Sequence, residues 1–216
     1  MLDAVVISDL HLGSGVCQAE KLEGFLEALP STRRLILNGD VLDSSHGRLK
    51  KHHWKVLGIL RKLSDTVQLI WVKGNHDWNA DYVADLIGAC FLEQYRFESG
   101  GRKIICIHGD RFDDFIAKRP GVTWLADWAY YFLQQINLRL ARLAKRNSKI
   151  FVRSCEKVKR KALSYLGLTI GSILCGHTHH PEEGDRYSNS GCWTEDQCTY
   201  LEIRDGTVSL KEFGGS

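Results

Sequence analysis

Several features of membrane, secreted and nucleic-acid-binding proteins are missing from this sequence. No uncharged stretch of its 216 residues is long enough to span a bilayer, and Asp3 and Asp9 interrupt the one early apolar run, so we expect neither a membrane span nor a signal peptide. The seven Cys are odd in number and include no Cys-x-x-Cys pair, which favours reduced thiols over a disulfide framework. No recognised nucleic-acid-binding motif is present, so we expect no specific nucleic acid partner.

The composition is that of an ordinary globular protein. The chain is 44% hydrophobic and 25% charged, and its formal net charge is +3. A length of 216 residues predicts a single domain, residues 1–216, with a sizeable core.

The most informative pattern is a set of five short apolar runs that each lead into Asp, Asn or His. Such runs predict buried strands, and open α/β sheets bind ligands at the carboxyl ends of their strands. Gly, which lets the backbone turn sharply, accompanies most of these polar residues. The five junctions are Ser8-Asp9-Leu10-His11, Asn38-Gly39-Asp40-Val41-Leu42-Asp43, Lys73-Gly74-Asn75-His76-Asp77, His108-Gly109-Asp110 and Gly176-His177-Thr178-His179.

The order of these junctions resembles the calcineurin-like metallophosphoesterases. Their pattern runs D-x-H, G-D-x-x-D, G-N-H-D, a lone H and G-H-x-H, and it spans residues 9–179 here. The resemblance implies an α/β protein, a four-layer α/β/β/α sandwich, that binds two divalent metal ions. Ligands without thiolate suit Mn, the expected ion, or Fe, Mg or Zn. The resemblance assigns Asp9, His11 and His179 to one ion, Asn75, His108 and His177 to the other, and Asp40 to both.

Other residues of these loops receive supporting roles. The resemblance implies that His76 contacts the phosphate or protonates the leaving group, and that Asp43 orients His76. Asp110 is interpreted either as a partner of a ligand His or as a turn residue. Asp77 is expected to cap its loop. We interpret His46, His52 and His53 as ordinary hydrogen-bonded core or surface residues.

Hydrophobic periodicity predicts alternating strands and helices around the junctions. Helices are predicted over 18–29, 48–63 and 81–88, and Gly100-Gly101 predicts a hairpin turn. The second helix is expected to place Trp54, Leu57, Leu60 and Leu63 on its inner face. The predicted strands are 3–8, 34–38, 67–73, 95–98, 103–108, 172–175, 198–203 and 207–213.

Between His108 and Gly176 lies a segment that the basic phosphoesterase scheme does not require. A helical apolar period that includes Trp124 and Trp128 comes first, and a second helix is predicted over 149–166. Ten Lys or Arg stand against one acidic residue between positions 139 and 161. We therefore predict a basic helical cap over about 112–170. Its surface suits contact with an anionic membrane and a lipid tail, or is simply a solvated face.

Within the superfamily, the chain resembles the UDP-2,3-diacylglucosamine pyrophosphatases of lipid A biosynthesis. The resemblance rests on residues 7–13, 108–113, 175–181 and 187–193, and on the cap, which in that family takes the acyl chains. The sequence departs from that family at His76 and His180, where Arg is usual, and at Cys192, where Asp is frequent. Substrate contacts are expected from Asn38, Trp124, Trp128, Arg153 and Lys157.

The predicted function is hydrolysis of a phosphodiester or pyrophosphate bond by a hydroxide between two metal ions. The expected substrate is a phosphorylated small molecule or a nucleotide-lipid, as in the pyrophosphatase family. Two alternatives remain open: a general phosphodiesterase for nucleotides or nucleic acid, and a non-catalytic scaffold with this fold. All seven ligand positions are filled, which favours an enzyme. We expect a cytoplasmic protein, with peripheral contact to the inner membrane surface as a further expectation.

Overall fold

A computed structural model describes residues 1–43, 48–113, 149–167 and 170–214. The chain divides into two compact units. One consists of Met1–His108 and Leu166–Ser216, and the other of Gly109–Tyr165. Helices and two sheets confirm the predicted α/β class. The prediction of one domain with a cap over about 112–170 stays a prediction.

The elements follow the predicted order closely. The helices are α1 Ala19–Glu27, α2 Lys51–Leu63, α3 Asp81–Leu86 and α4 Lys149–Leu166. The strands are β1 Ala4–Ile7, β2 Arg34–Asn38, β3 Gln68–Val72, β4 Cys90–Leu92, β5 Tyr95–Ser99, β6 Arg102–Cys106, β7 Ser172–Cys175, β8 Tyr187–Asn189, β9 Cys198–Arg204 and β10 Thr207–Phe213. Sequence reasoning missed β4 and β8, which are only three residues long.

Two sheets organise the larger unit. Among the described residues, the first sheet has the order β10-β9-β1-β2-β3-β4, and the second has the order β5-β6-β7-β8. Strands β1 to β4 are parallel to one another, and so are β6 to β8. The predicted hairpin joins β5 and β6 in antiparallel pairing. Parallel strands end at the same edge, so each sheet presents its polar junctions on one side.

The alternation of side chains along the strands of the first sheet creates two cores. One face, which includes Val5, Leu35 and Trp71, packs with buried residues of α1, α2 and α3. The other face, which includes Val6 and Ile36, packs with residues of the second sheet. Helices, first sheet and second sheet are therefore successive layers, as the α/β/β order of the predicted sandwich requires.

Helix α2 has a different inner face from the predicted one. Leu57 and Leu60 are buried as expected, but Trp54 is 62% exposed. His53 and Val56 lie inside in its place. Consecutive residues of an α-helix point about 100° apart. Trp54 follows the buried His53 and therefore points towards solvent.

The structure describes only part of the smaller unit. A 3-10 turn spans Asp110–Phe112, and the rings of Phe112 and Tyr165 lie 5.7 Å apart. Helix α4 matches its predicted bounds, and its predicted apolar positions Val158 and Ala162 are buried. Across the part of the chain that is described, no helix combines the length and the apolar character needed to cross a membrane.

Candidate metal centre

The predicted ligands come from loops at the ends of parallel strands. Asp9, Asp40 and Asn75 follow β1, β2 and β3 of the first sheet, and His108 and His177 follow β6 and β7 of the second. Main-chain hydrogen bonds hold the loops in register: Asp9 N donates to Gly39 O at 3.0 Å, and Gly176 N donates to His108 O at 2.8 Å. The loops therefore start from fixed positions.

One cluster contains Asp9, His11 and His179. Their ligand atoms all lie within 4.8 Å of one another. His179 Nε2 is 3.1 Å from Asp9 Oδ1, and the rings of His11 and His179 are 5.4 Å apart. Asp9 and His11 are buried. These are the three residues that the resemblance assigns to one ion.

A second cluster contains Asp40, His108 and His177, whose ligand atoms also lie within 4.8 Å of one another. Asn75, which belongs to the same predicted set, joins this cluster because its Oδ1 lies 3.1 Å from His177 Nδ1. His108 Nδ1 donates to the carbonyl of Asn38 at 2.9 Å. That bond fixes the ring so that Nε2 is the nitrogen available to a metal.

Asp40 lies between the two clusters. Its Oδ2 is 3.2 Å from His108 Nε2 and 3.9 Å from His11 Nε2. Its Oδ1 accepts a hydrogen bond from the main-chain N–H of His76 at 2.8 Å. One carboxylate thus reaches both histidine sets, which is the arrangement that the bridging prediction requires.

Asp43 and His76 contact each other in a different way from the predicted one. The carboxylate of Asp43 accepts a hydrogen bond from His11 Nδ1 at 3.1 Å. His76 Nδ1 donates instead to the main-chain carbonyl of Asp43, at 2.8 Å. The carboxylate therefore orients His11, and a backbone atom orients His76. One ligand atom from each of His11, Asp43 and His76 nevertheless lies within 4.8 Å of the other two.

The backbone at the site is unusual. Among the described residues, Asp9, His11, Asp40, His177 and His179 all have φ between 48° and 64°, in the left-handed region. Such conformations cost roughly 1 kcal/mol or more for a non-Gly residue, and they concentrate at functional sites. Five of the seven predicted ligands therefore sit on strained backbone.

Gly74 shows why small residues accompany the ligands. A Cβ at Gly74 would overlap the carboxylate and the main-chain nitrogen of Asp40. The loops after β2 and β3 approach each other so closely that only Gly fits between them.

Asp77 is a buried organiser of this region, and sequence reasoning anticipated only a cap. Its carboxylate accepts hydrogen bonds from Asp40 N at 2.8 Å, Gly74 N at 2.9 Å, Leu42 N at 3.1 Å and Trp71 Nε1 at 3.1 Å. It therefore ties the loop of Asp40 to the loop of Asn75 and His76. The signal in the sequence was an Asp that directly follows Gly-Asn-His. Two of its four donors, Asp40 N and Leu42 N, lie too far along the chain to be read from the sequence.

Asn189 has a comparable place in the second sheet. Its Nδ2 donates to Gly176 O at 2.7 Å, and its Oδ1 accepts from Gly191 N at 2.9 Å. The bond to Gly176, together with a second from Nδ2 to Thr178 Oγ1 at 3.2 Å, braces the loop that carries His177 and His179. The bond from Gly191 holds the turn that follows β8. In the sequence, Asn189 had only been part of a family motif.

Charges in the site are strongly coupled. Burial alone would raise the pKa of Asp9, but the charge of His179 and its hydrogen bond outweigh burial and lower that pKa to about 2. The pKa of Asp40 is lowered in the same way, by His108 and then His11, against the effect of burial. Burial would lower the pKa of His11, but Asp43, Asp40 and Asp9 raise it overall. Carboxylates and imidazoles therefore stabilise each other's charged forms across the site.

The residues fit a divalent metal. His11 Nε2 is buried and makes no hydrogen bond to any residue that the structure describes, as expected of a nitrogen that faces a cation. The donors are carboxylate, imidazole and amide groups, which suit hard to borderline divalent ions. Asp43 completes the pattern because it holds the distal nitrogen of a candidate ligand His.

Other predicted site residues lie apart from this cluster or outside the description. Asn38 is fully buried, and its Nδ2 donates to Leu174 O at 3.1 Å, so its amide links β2 to β7, and its substrate contact stays a prediction. Arg153 and Lys157 are exposed on α4, and their substrate contact stays a prediction. Asp110 begins the 3-10 turn, and its partnership with a ligand also stays a prediction. Trp124, Trp128 and His46 lie outside the described residues.

The comparisons with known proteins agree with the fold. The sequence profile described as calcineurin-like phosphoesterase matches residues 3–181. No curated protein shows a significant match. The solved structures that are similar to the chain include the following three. YfcE, a phosphoesterase from E. coli, is 15% identical, with 98% of this chain and 99% of that chain covered and a TM-score of 0.50.

A novel archaeal phosphodiesterase is 13% identical, with coverage of 97% and 98% and a TM-score of 0.50. A protein of unknown function from Aquifex aeolicus is 17% identical, with coverage of 87% and 89% and a TM-score of 0.51. At these identities the likenesses show the fold alone.

Proposed function

The chain belongs to the calcineurin-like phosphoesterase family. We propose that it hydrolyses a phosphodiester or pyrophosphate bond with the help of two bound divalent metal ions, and Mn is the metal that we expect. The observation that supports this most strongly is the position of Asp40 Oδ2, which lies 3.2 Å from His108 Nε2 and 3.9 Å from His11 Nε2. Asp9, His11 and His179 would hold one ion, and Asn75, His108 and His177 the other, with Asp40 shared. Such ions, when bound, activate water and neutralise phosphate charge.

His76 is the residue best placed to handle a proton. Its main-chain N–H is bonded to Asp40 and its Nδ1–H to the carbonyl of Asp43, so both the loop and the ring are fixed. Nε2 of His76 makes no hydrogen bond within the described residues. In this function His76 Nε2–H contacts a phosphate oxygen and gives its proton to the leaving oxygen. Asp43 acts through His11, whose Nδ1–H it accepts.

For the substrate we propose a nucleotide-linked lipid of the UDP-2,3-diacylglucosamine type, hydrolysed at its pyrophosphate. The support is the motif set of residues 7–13, 108–113, 175–181 and 187–193, together with the basic helix α4. Arg153 and Lys157 are one helical turn apart and both exposed, so they form part of a cationic face. Peripheral contact of that face with an anionic membrane is part of the same proposal.

A substrate panel tests the chemistry and the substrate separately. Protein dialysed against Mn is assayed with a UDP-linked diacyl sugar, an aryl phosphodiester, an aryl phosphomonoester and a cyclic nucleotide, and its metal content is measured by elemental analysis. Preference for the nucleotide-lipid supports the full proposal. Hydrolysis of the simple diester or cyclic nucleotide alone would support a general phosphodiesterase. Failure to bind Mn and to hydrolyse any of the four would indicate a scaffold.

The variant His76→Ala tests the proton-transfer role. We expect turnover of an aryl phosphodiester to fall about 10²-fold or more, because a positioned acid contributes roughly that factor. The Mn content should be unchanged, since His76 is not one of the proposed ligands. Equal loss of metal and activity would show instead that His76 is a ligand or a structural residue.

A further inference from the structure

Two buried serines, Ser8 and Ser190, lie next to the carboxylate of Asp9. Both side chains are fully buried. Ser8 directly follows β1 of the first sheet, and Ser190 directly follows β8 of the second. Ser8 Oγ is hydrogen-bonded to Asp9 Oδ2, and the Oγ atoms of Ser8 and Ser190 are 2.7 Å apart. This serine pair therefore links a candidate metal ligand of one sheet to the other sheet.

The two carboxylate oxygens of Asp9 have different surroundings. Oδ1 lies 3.1 Å from Nε2 of His179, which belongs to the same candidate cluster. The main-chain N–H of His177 contacts both oxygens, Oδ1 at 3.1 Å and Oδ2 at 3.0 Å, so it does not distinguish them. Among the described residues, the hydroxyl of Ser8 is the donor that contacts Oδ2 alone. It therefore leaves Oδ1 as the oxygen that faces the other ligands of the cluster.

The single proton of each hydroxyl group fixes the direction of these hydrogen bonds. Three acceptors lie within reach of Ser8 Oγ: Asp9 Oδ2, Ser190 Oγ and, at 3.1 Å, Gly191 O. A hydrogen bond to a charged carboxylate is roughly twice as strong as one to a neutral oxygen, so Ser8 donates to Asp9. Ser190 Oγ then donates to Ser8 Oγ at 2.7 Å in preference to Cys175 O at 3.4 Å. The serine pair thus forms a chain of two hydrogen bonds that ends at Asp9 Oδ2.

The surrounding backbone holds the serine pair in place. Ser190 N donates to Cys175 O at 3.0 Å, and Ser190 O accepts from Thr199 Oγ1 at 2.7 Å. A Cβ at Gly176 would overlap both Ser8 Oγ and Asp9 Oδ2, so the main chain of Gly176 packs directly against this hydrogen bond. The position of Ser8 Oγ is therefore determined by the fold and not by solvent.

We propose that Ser8 and Ser190 are positioning residues of the candidate metal centre. The hydroxyl of Ser8, held by that of Ser190, binds Asp9 Oδ2 and so presents Asp9 Oδ1 to a metal ion. That ion is the one assigned to Asp9, His11 and His179. The inference rests on the proposed function, because it requires that this centre binds two ions. It adds two residues outside the ligand set that determine how tightly one of the two ions is held.

Three variants and one control test the serine pair. Ser8→Ala removes the donor to Asp9, Ser190→Ala removes only the donor to Ser8, and the double variant removes both. The control is Ser172→Ala, because Ser172 is also a buried Ser but its Oγ has no hydrogen-bond partner among the residues that the structure describes. Circular dichroism confirms that each variant is folded, and Ser190→Ala decides alone if the variants of Ser8 are not.

The first measurement is titration of metal-free protein with Mn, followed by calorimetry. We expect Ser8→Ala to weaken the binding of one ion about tenfold or more and to leave the other ion unchanged, because Ser8 contacts a ligand of one cluster only. Ser190→Ala should weaken the same ion about threefold, since the bond that it removes is of the weaker, neutral kind. Ser172→Ala should bind both ions as the wild type does.

Three results of this titration would overturn the proposal. One is equal weakening of both ions in Ser8→Ala, which is the result expected if the substitution only loosens the fold. Another is wild-type affinity for both ions in Ser8→Ala or in Ser190→Ala. The third is the same loss of affinity in Ser172→Ala as in Ser8→Ala.

The double variant tests whether Ser190 acts through Ser8. If it does, the double variant binds Mn no more weakly than Ser8→Ala, because removal of Ser8 already breaks the chain of hydrogen bonds. Losses that add up would show that Ser190 affects the ion by another route, and would overturn its assignment.

Hydrolysis by the same preparations separates this inference from the proposed function. If the wild type binds two Mn ions but hydrolyses neither an aryl phosphodiester nor a UDP-linked diacyl sugar, the proposed function fails, and the titration still judges the serine pair. If the wild type hydrolyses a substrate and Ser8→Ala binds both ions equally well, the inference fails while the function stands. A wild type that binds fewer than two ions overturns the inference directly.

Discussion

The two sheets contribute to the candidate centre in different ways. Among the seven predicted ligands, the first sheet supplies both carboxylates, Asp9 and Asp40, together with His11 and Asn75, and the second sheet supplies His108, His177 and His179. The bracing groups differ too. A buried carboxylate, Asp77, holds the loops of the first sheet, and a neutral amide, Asn189, holds the second-sheet loop. Negative charge is therefore concentrated in the loops of the first sheet. These loops depend more on bound cations and on main-chain N–H donors than the loops of the second sheet do.

Asp40 and Asp77 lie close together, so the charged forms of these two buried carboxylates repel each other. Burial, and after it the charge of Asp40, raise the pKa of Asp77, while its hydrogen-bond donors act in the opposite direction. Main-chain N–H groups donate to both of these buried acids, three to Asp77 and one to Asp40, and this stabilises two carboxylates that lie close together. No such conflict exists around Asn189.

The largest effect is expected for Asp40→Asn. The change removes the one charge that both clusters share, so we expect loss of metal and a fall in kcat/KM of about 10³-fold or more. Elemental analysis and aryl phosphodiester hydrolysis measure this. Asp85→Asn, at an exposed position of α3, is the matched control. Retention of both metal and activity in Asp40→Asn would mean that the first sheet is not the charge-bearing half.

A smaller but still large effect is expected for Asp77→Asn. The amide NH₂ that replaces one oxygen would face main-chain donors, so loop bonds are lost and the protein is destabilised by about 2 kcal/mol. We also expect metal affinity to fall about 10- to 100-fold, since Asp77 positions the loop of Asp40. Metal titration and thermal unfolding measure the two effects. Destabilisation with unchanged metal affinity would reduce Asp77 to a structural residue.

Asn189→Ala tests the other side of the comparison. The loop of His177 and His179 loses two neutral hydrogen bonds, with an expected cost of about 1 kcal/mol each and a loss of metal affinity of about tenfold. Its effect should therefore be smaller than that of Asp77→Asn in the same assays. An equal or larger effect would remove the proposed asymmetry between the sheets.

The smallest effect is expected outside both halves, at His53. Burial, and then Lys50 and His52, lower the pKa of His53. The folded protein therefore binds fewer protons at His53 than the unfolded chain does. The contribution of neutral His53 to the free energy of unfolding is fully present above the pKa of an unfolded His, about 6.5, and is lost as the pH falls below that pKa. Between about pH 7.5 and about pH 5.5 the Tm of metal-free His53→Asn should therefore fall less than that of the wild type. A parallel decline in the two proteins would contradict the prediction.

The sequence was sufficient for the longer strands and for the order of the ligands, because both are local patterns. Ile36, Ile70 and Leu174 belong to apolar runs whose burial follows from composition, and the polar junctions follow directly. The partner of Asp43 could not be predicted in the same way. It depends on whether the ring of His11 or of His76 reaches its carboxylate, which a loop offset of an ångström or two decides.

The expectation that Trp54 is buried was wrong, and the full burial of Asn38 was not anticipated. Trp54 lies one position from the buried stripe of α2, and sequence periodicity does not resolve one position when a bulky apolar residue is on either side. Asn38 ends an apolar strand beside a predicted ligand, and it was therefore expected to contact the substrate. Its burial is decided by the second sheet, which β2 meets only after the chain has folded.

The left-handed backbone at Asp9, His11, Asp40, His177 and His179 also bears on how this chain can change. Gly or Asn at any of these positions would relieve backbone strain. If the protein no longer had to hydrolyse a substrate, substitution at each of the five positions could therefore increase its stability. Asp or His at all five positions therefore costs conformational energy that the stability of the fold does not require.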